Sequence, residues 1–151
     1  MANPSKDKGT RAETAVARYL QAHGWPHAER RAPNGSTDRG DITGCPGLVF
    51  EVKYRDHEPR DGEITAWMAE TETERANAGA DIGVLIARRP SYPVASWWAI
   101  ARIGDLMALR NPSTPREMRV IWPVRMLLAD MVTVLRMSGY GDPLEVPHGN
   151  S

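Results

Sequence analysis

One cysteine, Cys45, is all that this 151-residue chain carries. It therefore has no means of forming an intrachain disulfide or a cysteine-rich zinc site, and a reducing, cytoplasmic setting is expected. Long hydrophobic runs are missing as well. The longest, Val124 to Leu135, is broken by Arg125 and Asp130 and falls short of the roughly 20 apolar residues of a membrane-spanning helix, so no membrane partner is expected. The first eight residues, Met-Ala-Asn-Pro-Ser-Lys-Asp-Lys, lack the apolar stretch of a signal peptide. Net charge is missing too: 19 Lys plus Arg stand against 19 Asp plus Glu. Taken alone, that balance speaks against a protein that coats nucleic acid by bulk charge. Lysine is scarce. Sixteen of the nineteen cations are arginine, the side chain whose planar fork suits phosphate.

What is present is ordinary for a globular chain, with 41% apolar and 25% charged residues. The length fits one domain with a sizeable core. A core over about 6–110, a C-terminal helical extension over about 116–138 and a loose tail over 139–151 are expected. The charges are segregated: residues 1–60 hold ten cations and eight acids, 61–81 one cation and six acids, and 82–151 eight cations and five acids.

Helical spacing of Ala12, Ala15, Val16, Tyr19 and Leu20 predicts a helix from about Lys8 to His23, stopped by Gly24. A Gly-, Pro- and Arg-rich loop over 29–40 follows. A hairpin is expected next, with Asp41-Ile42-Thr43 and Leu48 to Tyr54 as its strands and Gly44-Cys45-Pro46-Gly47 as its turn. Ile64 to Ala78 reads as a second helix, with Ile64, Trp67, Met68 and Thr71 on one face and Glu70, Glu72 and Glu74 on a solvated one. Strands over Ile82–Ala87 and Ser96–Ala101, a short helix over Arg102–Arg110 and a last helix over Pro123–Met137 complete an α/β sandwich around a mixed sheet.

The hairpin carries the chemistry. Residues two apart in a strand share a face, so Glu51 and Lys53 point one way and Phe50, Val52 and Tyr54 the other. A turn centred on Cys45-Pro46 sets Asp41 near Phe50 and its carboxylate beside Glu51. Two carboxylates and the Val52 backbone carbonyl offer hard oxygen ligands of the kind Mg²⁺ or Mn²⁺ prefers. Lys53 beside them could orient a water or stabilise charge on a phosphoryl group. The alternative is a plain Glu–Lys ion pair on a solvated strand face.

Gly40-Asp41 followed by Glu51-Val52-Lys53 resembles the motif of the PD-(D/E)xK nucleases, with Gly40 at the variable proline. Lys8-Gly9-Thr10-Arg11-Ala12-Glu13, Gly24-Trp25, Arg30 or Arg31 and Gly35-Ser36 make residues 6–90 look like the archaeal-type Holliday junction resolvases. The resemblance implies a restriction-endonuclease-like mixed sheet flanked by helices, here with an extra C-terminal helix. It implies an Mg²⁺- or Mn²⁺-dependent endonuclease that acts as a homodimer on branched, four-way DNA. By it, Asp41, Glu51, the Val52 carbonyl and Glu13 would hold metal and Lys53 would be the catalytic lysine. Ser36 would approach the scissile phosphate, and Lys8, Arg11, Arg30, Arg31, Arg39 and Arg55 would contact DNA. Glu13 has a plainer alternative, pairing with a nearby arginine. The last helix could serve a dimer contact, although core packing is the simpler use. Nucleases of other specificity and a non-catalytic DNA-binding module are the competing functions.

Overall fold

The computed structural model describes residues 3–32 and 37–145. Helix α1 (Pro4–Ala22) begins earlier than its apolar spacing suggests, because the Asn3 side chain caps it by accepting from the Ser5 and Lys6 N–H groups and Pro4 occupies its first turn. A two-residue pair, β1 (Glu29–Arg30) and β2 (Ile42–Thr43), flanks the Arg-rich loop. Then come β3 (Leu48–Lys53), α2 (Asp61–Ala78), β4 (Ile82–Ala87), β5 (Trp98–Arg102), α3 (Ile103–Ala108), β6 (Pro123–Leu127) and α4 (Leu128–Met137).

The main sheet has the order β3-β4-β5-β6. β3 and β4 run parallel, with Phe50 opposite Val84 and Lys53 opposite Ala87. The other two pairings are antiparallel. Helix α2 makes the crossover that a parallel pair requires. The chain is therefore mixed α/β, a four-stranded mixed sheet flanked by helices.

Alternation along the strands splits the core into two layers. Phe50, Val52, Val84, Ile86, Ala99 and Ala101 face α1 and α4, where they meet Val16, Leu20, Leu128, Met131 and Leu135. Leu85, Ala87 and Ile100 face α2 and meet Ile64, Trp67 and Met68. Gly83 lets α2 approach closely, since a Cβ there would lie 2.9 Å from Thr71 Cγ2. This contact draws the C-terminal half of α2 onto the sheet. No helix among the described residues is long and apolar enough to cross a membrane.

Several expectations are corrected. The last helix starts at Leu128, not Pro123, because residues 123–127 pair with β5, with Trp98 opposite Leu127 and Arg102 opposite Pro123. Segment 116–138 is thus no helical extension: it supplies the fourth strand, and α4 completes the core. Leu128, Met131 and Leu135 have no exposed surface, so the apolar face of α4 packs in the core, the simpler of the two uses expected for it. The fifth strand begins at Trp98, after a 3-10 turn over Val94–Ser96. Residues 139–145 are tied down rather than loose. Tyr140 Oη donates to Asp81 Oδ2 at 2.8 Å, Asp142 N–H donates to the Gly24 carbonyl at 2.7 Å, and Arg136 Nε donates to the Asp142 carbonyl at 2.8 Å. The rest of the tail lies outside the described residues. The expected hairpin ladder is also modified, since β2 pairs with β1 and only Asp41 of that arm bonds directly to β3.

Candidate active site

Asp41 is set by its backbone. Its N–H donates to the Phe50 carbonyl at 2.9 Å, which is the pairing the turn length implies. Its Oδ2 accepts from the Val52 N–H at 2.7 Å, so the carboxylate is pinned against the edge of β3. The amide and carbonyl of one strand residue point to the same edge, and the Val52 carbonyl therefore stands beside Asp41. Gly40 makes this approach possible. Its φ is +92°, and a Cβ would meet Val49 Cγ1 at 2.8 Å and the Phe50 carbonyl at 3.1 Å. Proline, locked near −65°, has no access to that conformation.

Glu51 projects from β3 towards α2 and is 7% exposed. Lys53 Nζ lies 3.2 Å from Glu51 Oε1 and 2.7 Å from Glu70 Oε2 on α2. Glu74, one turn further along α2, is 3% exposed and within hydrogen-bonding reach of Glu51. Among the described residues its Oε2 is buried without a hydrogen-bond partner. Asp38, Glu51, Lys53, Glu70, Thr73 and Glu74 line a cleft of about 250 Å³. Asn77 holds its rim by donating from Nδ2 to the Asp38 carbonyl at 2.8 Å.

The acids crowd one another. Burial, then the Glu51 charge, push Asp41 up to about 8. Glu51 also rises to about 8, through burial and then its hydrogen bond and charge repulsion with Glu74. Glu74 reaches about 7: burial raises it, the hydrogen bond from Glu51 opposes, and the charges of Asp38 and Asp41 add to the rise. Lys53 behaves differently. Burial alone would lower its pKa, but the hydrogen bond to Glu70 and the charges of Glu51 and Glu70 prevail and raise it. Lys53 is accordingly a fixed cation at neutral pH, a donor and not a base. It is shared between two carboxylates, so it cannot also neutralise Asp41 and Glu74. Like charges this close do not all ionise unless protons or a cation compensate them.

The donor set suits a hard divalent cation: the Asp41 and Glu51 carboxylates, the Val52 carbonyl, and the unpartnered Glu74 oxygen behind them. Among the described residues, no three His, Cys, Asp or Glu side chains already stand as a ligand set. Glu13 is near enough for its charge to act on Asp41, but its Oε2 accepts from Arg30 Nε at 2.6 Å. That arginine pairing is the plainer role expected for Glu13. Ser36 lies outside the described residues.

The candidate DNA-contacting cations divide in two. Arg30 is engaged by Glu13. Arg31 donates from Nε to the Gly40 carbonyl at 3.1 Å, and Arg55 donates to Glu63 Oε2 at 3.1 Å while its guanidinium sits over Trp67. These three brace the site. Arg11 and Arg39 are exposed, and Lys8 pairs with Asp56 at 3.1 Å.

The solvated acidic face expected of α2 holds for Glu70, which is half exposed, and is corrected for the buried Glu74. Glu74 and Glu70 turn to the cleft, and Glu72 pairs with Arg75 at 2.8 Å and lies 3.7 Å from Arg102. Glu74 was open to detection, because 64, 67, 71 and 74 form one helical stripe with the apolar residues. Asp38 carried no such signal. Comparison with family models, with curated proteins and with solved structures finds no match to this chain.

Proposed function

We propose that this protein is a divalent-cation-dependent DNA endonuclease with a restriction-endonuclease-like fold, acting as a homodimer on branched, four-way DNA. One observation carries the reading. The Asp41 carboxylate is fixed on the Val52 N–H, next to a buried Glu51 that contacts Lys53 at 3.2 Å. An ion pair on a solvated strand face would not bury Glu51 against a second and third acid.

Asp41, Glu51 and the Val52 carbonyl would hold Mg²⁺ or Mn²⁺, and Glu74 limits how far Glu51 can retreat. When bound, the cation would polarise a phosphoryl oxygen and favour ionisation of a nearby water. The chain's own contribution is positional. Lys53, oriented by Glu70, keeps its ammonium beside the Asp41–Glu51 pair, where it can donate to the scissile phosphate as negative charge develops. Arg31 and the Asp41 N–H hold the loop that carries the carboxylate. A four-way junction is two-fold symmetric, so paired cuts require two copies of the site, the symmetry of a dimer.

The test is a panel of four-way junction, splayed arm, linear duplex and single strand, each with Mg²⁺ and with EDTA. Paired nicks in the junction alone, lost in EDTA, are expected. Equal degradation of all four would replace junction resolution with a general nuclease. Tight DNA binding with no cleavage in either Mg²⁺ or Mn²⁺ would leave only a binding module.

A further inference from the structure

A second cleft, of about 290 Å³, opens on the other side of β3 and is walled by Lys8 and Arg11 of α1 together with Tyr54, Arg88 and Trp97. Tyr54 directly follows Lys53, and successive strand residues point to opposite faces. Its ring packs with the α1-side core, whereas Lys53 faces α2. The cleft and the carboxylates therefore lie back to back at the C-terminal end of β3.

The cleft is cationic and already ordered. Arg88 Cζ lies 4.5 Å from the Tyr54 ring centroid, and Lys8 Nζ lies 5.6 Å from it. Arg88 Nη1 also donates to the Arg55 carbonyl at 3.1 Å. Ring and carbonyl together hold the guanidinium in place, so little side-chain freedom is lost when its remaining N–H groups meet an anion. Among the described residues no carboxylate lies within ion-pair distance of Arg11 or Arg88, and the Asp56 partner of Lys8 is itself 71% exposed. Arg30, Arg75, Arg116 and Arg119 differ, each being held by an acid. Trp97, whose indole N–H donates to the Tyr92 carbonyl at 3.0 Å, gives the cleft a fixed apolar wall.

We infer that this cleft binds the sugar-phosphate backbone of the DNA strand flanking the bond held at Asp41 and Glu51. Arg88 and Arg11 take the phosphate, and the Tyr54 and Trp97 surfaces lie against the sugar. The inference takes its substrate class from the nuclease reading above. The cleft has room for one sugar-phosphate unit, and a strand turned out at a branch offers such a unit with both phosphate and sugar face free, as a paired strand does not.

Binding of a fluorescein-labelled four-way junction and of a linear duplex, followed by anisotropy in EDTA over a salt series, tests this without cleavage. Arg88→Ala and Arg11→Ala are each expected to raise the Kd for the junction about tenfold and to make the slope of log Kd against log salt shallower by about 1. Arg110→Ala, which removes an exposed arginine just beyond α3, is expected to change it by less than about twofold. Because Arg11 is exposed, its variant still tests the cleft if Arg88→Ala disturbs the loop through its lost bond to Arg55. Arg88→Ala and Arg11→Ala behaving like Arg110→Ala would overturn the inference, as would equal losses on junction and duplex. If the two variants show these effects and wild type cleaves nothing, hydrolysis fails and the cleft stands. If it cleaves and Arg88→Ala binds normally, only the cleft fails.

Discussion

Asp105 and Glu74 are equally hidden, 4% and 3% exposed, yet their surroundings are opposite. Asp105 Oδ1 accepts from Arg116 Nη1 at 3.1 Å and from Arg119 Nη1 at 3.2 Å. That acid is neutralised from within the fold, and it fastens α3 to the segment leading into β6. Glu74 faces Glu51, with Asp38 and Asp41 acting on it as well, and among the described residues one of its oxygens has no donor. Burying an acid against arginines completes a structure; burying it against acids leaves an excess of negative charge that protons or a bound cation must offset. The difference sets the end of β3 apart: there the buried acids outnumber the one cation, Lys53, that faces them.

The sharpest break in that contrast comes from the cleft itself. Asp41→Ala or Glu51→Ala should lower DNA cleavage by about a thousandfold, the scale on which a group acting on transition-state charge is felt. Junction binding in EDTA should stay within a few-fold of wild type. Wild-type cleavage by either variant would reduce the carboxylates to structure.

Next in size is Asp105→Ala, which strands Arg116 and Arg119 and should destabilise the fold by about 3 kcal/mol. In a chain of this length that lowers the melting midpoint by roughly 6–12 °C. A loss below a degree or two would show that the two arginines are satisfied by water instead.

The smallest effect, and the most specific, concerns pH. Asp41, Glu51 and Glu74 have folded-state pKa values of about 8, 8 and 7, above the usual carboxylate range. The native state thus binds more protons than the unfolded chain between about pH 4 and 8, and stability from these groups falls as pH rises through that window. Glu74→Gln removes one of the repelling charges. In EDTA it should raise the melting midpoint by a few degrees at pH 8 and leave it nearly unchanged at pH 5, where all three acids are protonated; roughly 2–4 °C corresponds to 1 kcal/mol here. Mg²⁺ or Mn²⁺ should stabilise wild type more at pH 8 than at pH 5. An equal shift from Glu74→Gln at both pH values would assign its effect to packing alone.

Much of the site was legible because it depends on short-range geometry. A four-residue turn fixes which residue of one arm meets which residue of the other, so Asp41 opposite Phe50 followed from counting. The shared face of Glu51 and Lys53 followed from strand alternation. Helix α2 was legible from Ile64 onward, although it begins at Asp61, and was misread in orientation. Glu74 continues the stripe of Trp67 and Thr71, but a carboxylate on an apolar stripe reads as surface until the opposing acid is in view. Residues 123–127 were illegible for another reason: Val124, Met126 and Leu127 suit either a strand or a helix, and pairing with β5 decided between them. Tyr140 looked like part of a tail because its partner, Asp81, is distant in sequence.

Sequence by itself determined the local terms: the α/β class, the body of the first helix, the turn that pairs Asp41 with β3, and the absence of any disulfide. These follow from backbone stereochemistry and periodicity, which act over a few residues. Tertiary structure alone decided which charges compensate one another. It set Arg30 on Glu13 and two arginines on Asp105, and among the described residues it set no arginine on Glu74 and no carboxylate within ion-pair distance of Arg88. A net charge of zero says nothing about that pairing, because electrostatic energy depends on separation and burial, and only packing brings charges distant in the chain within a few ångströms of one another.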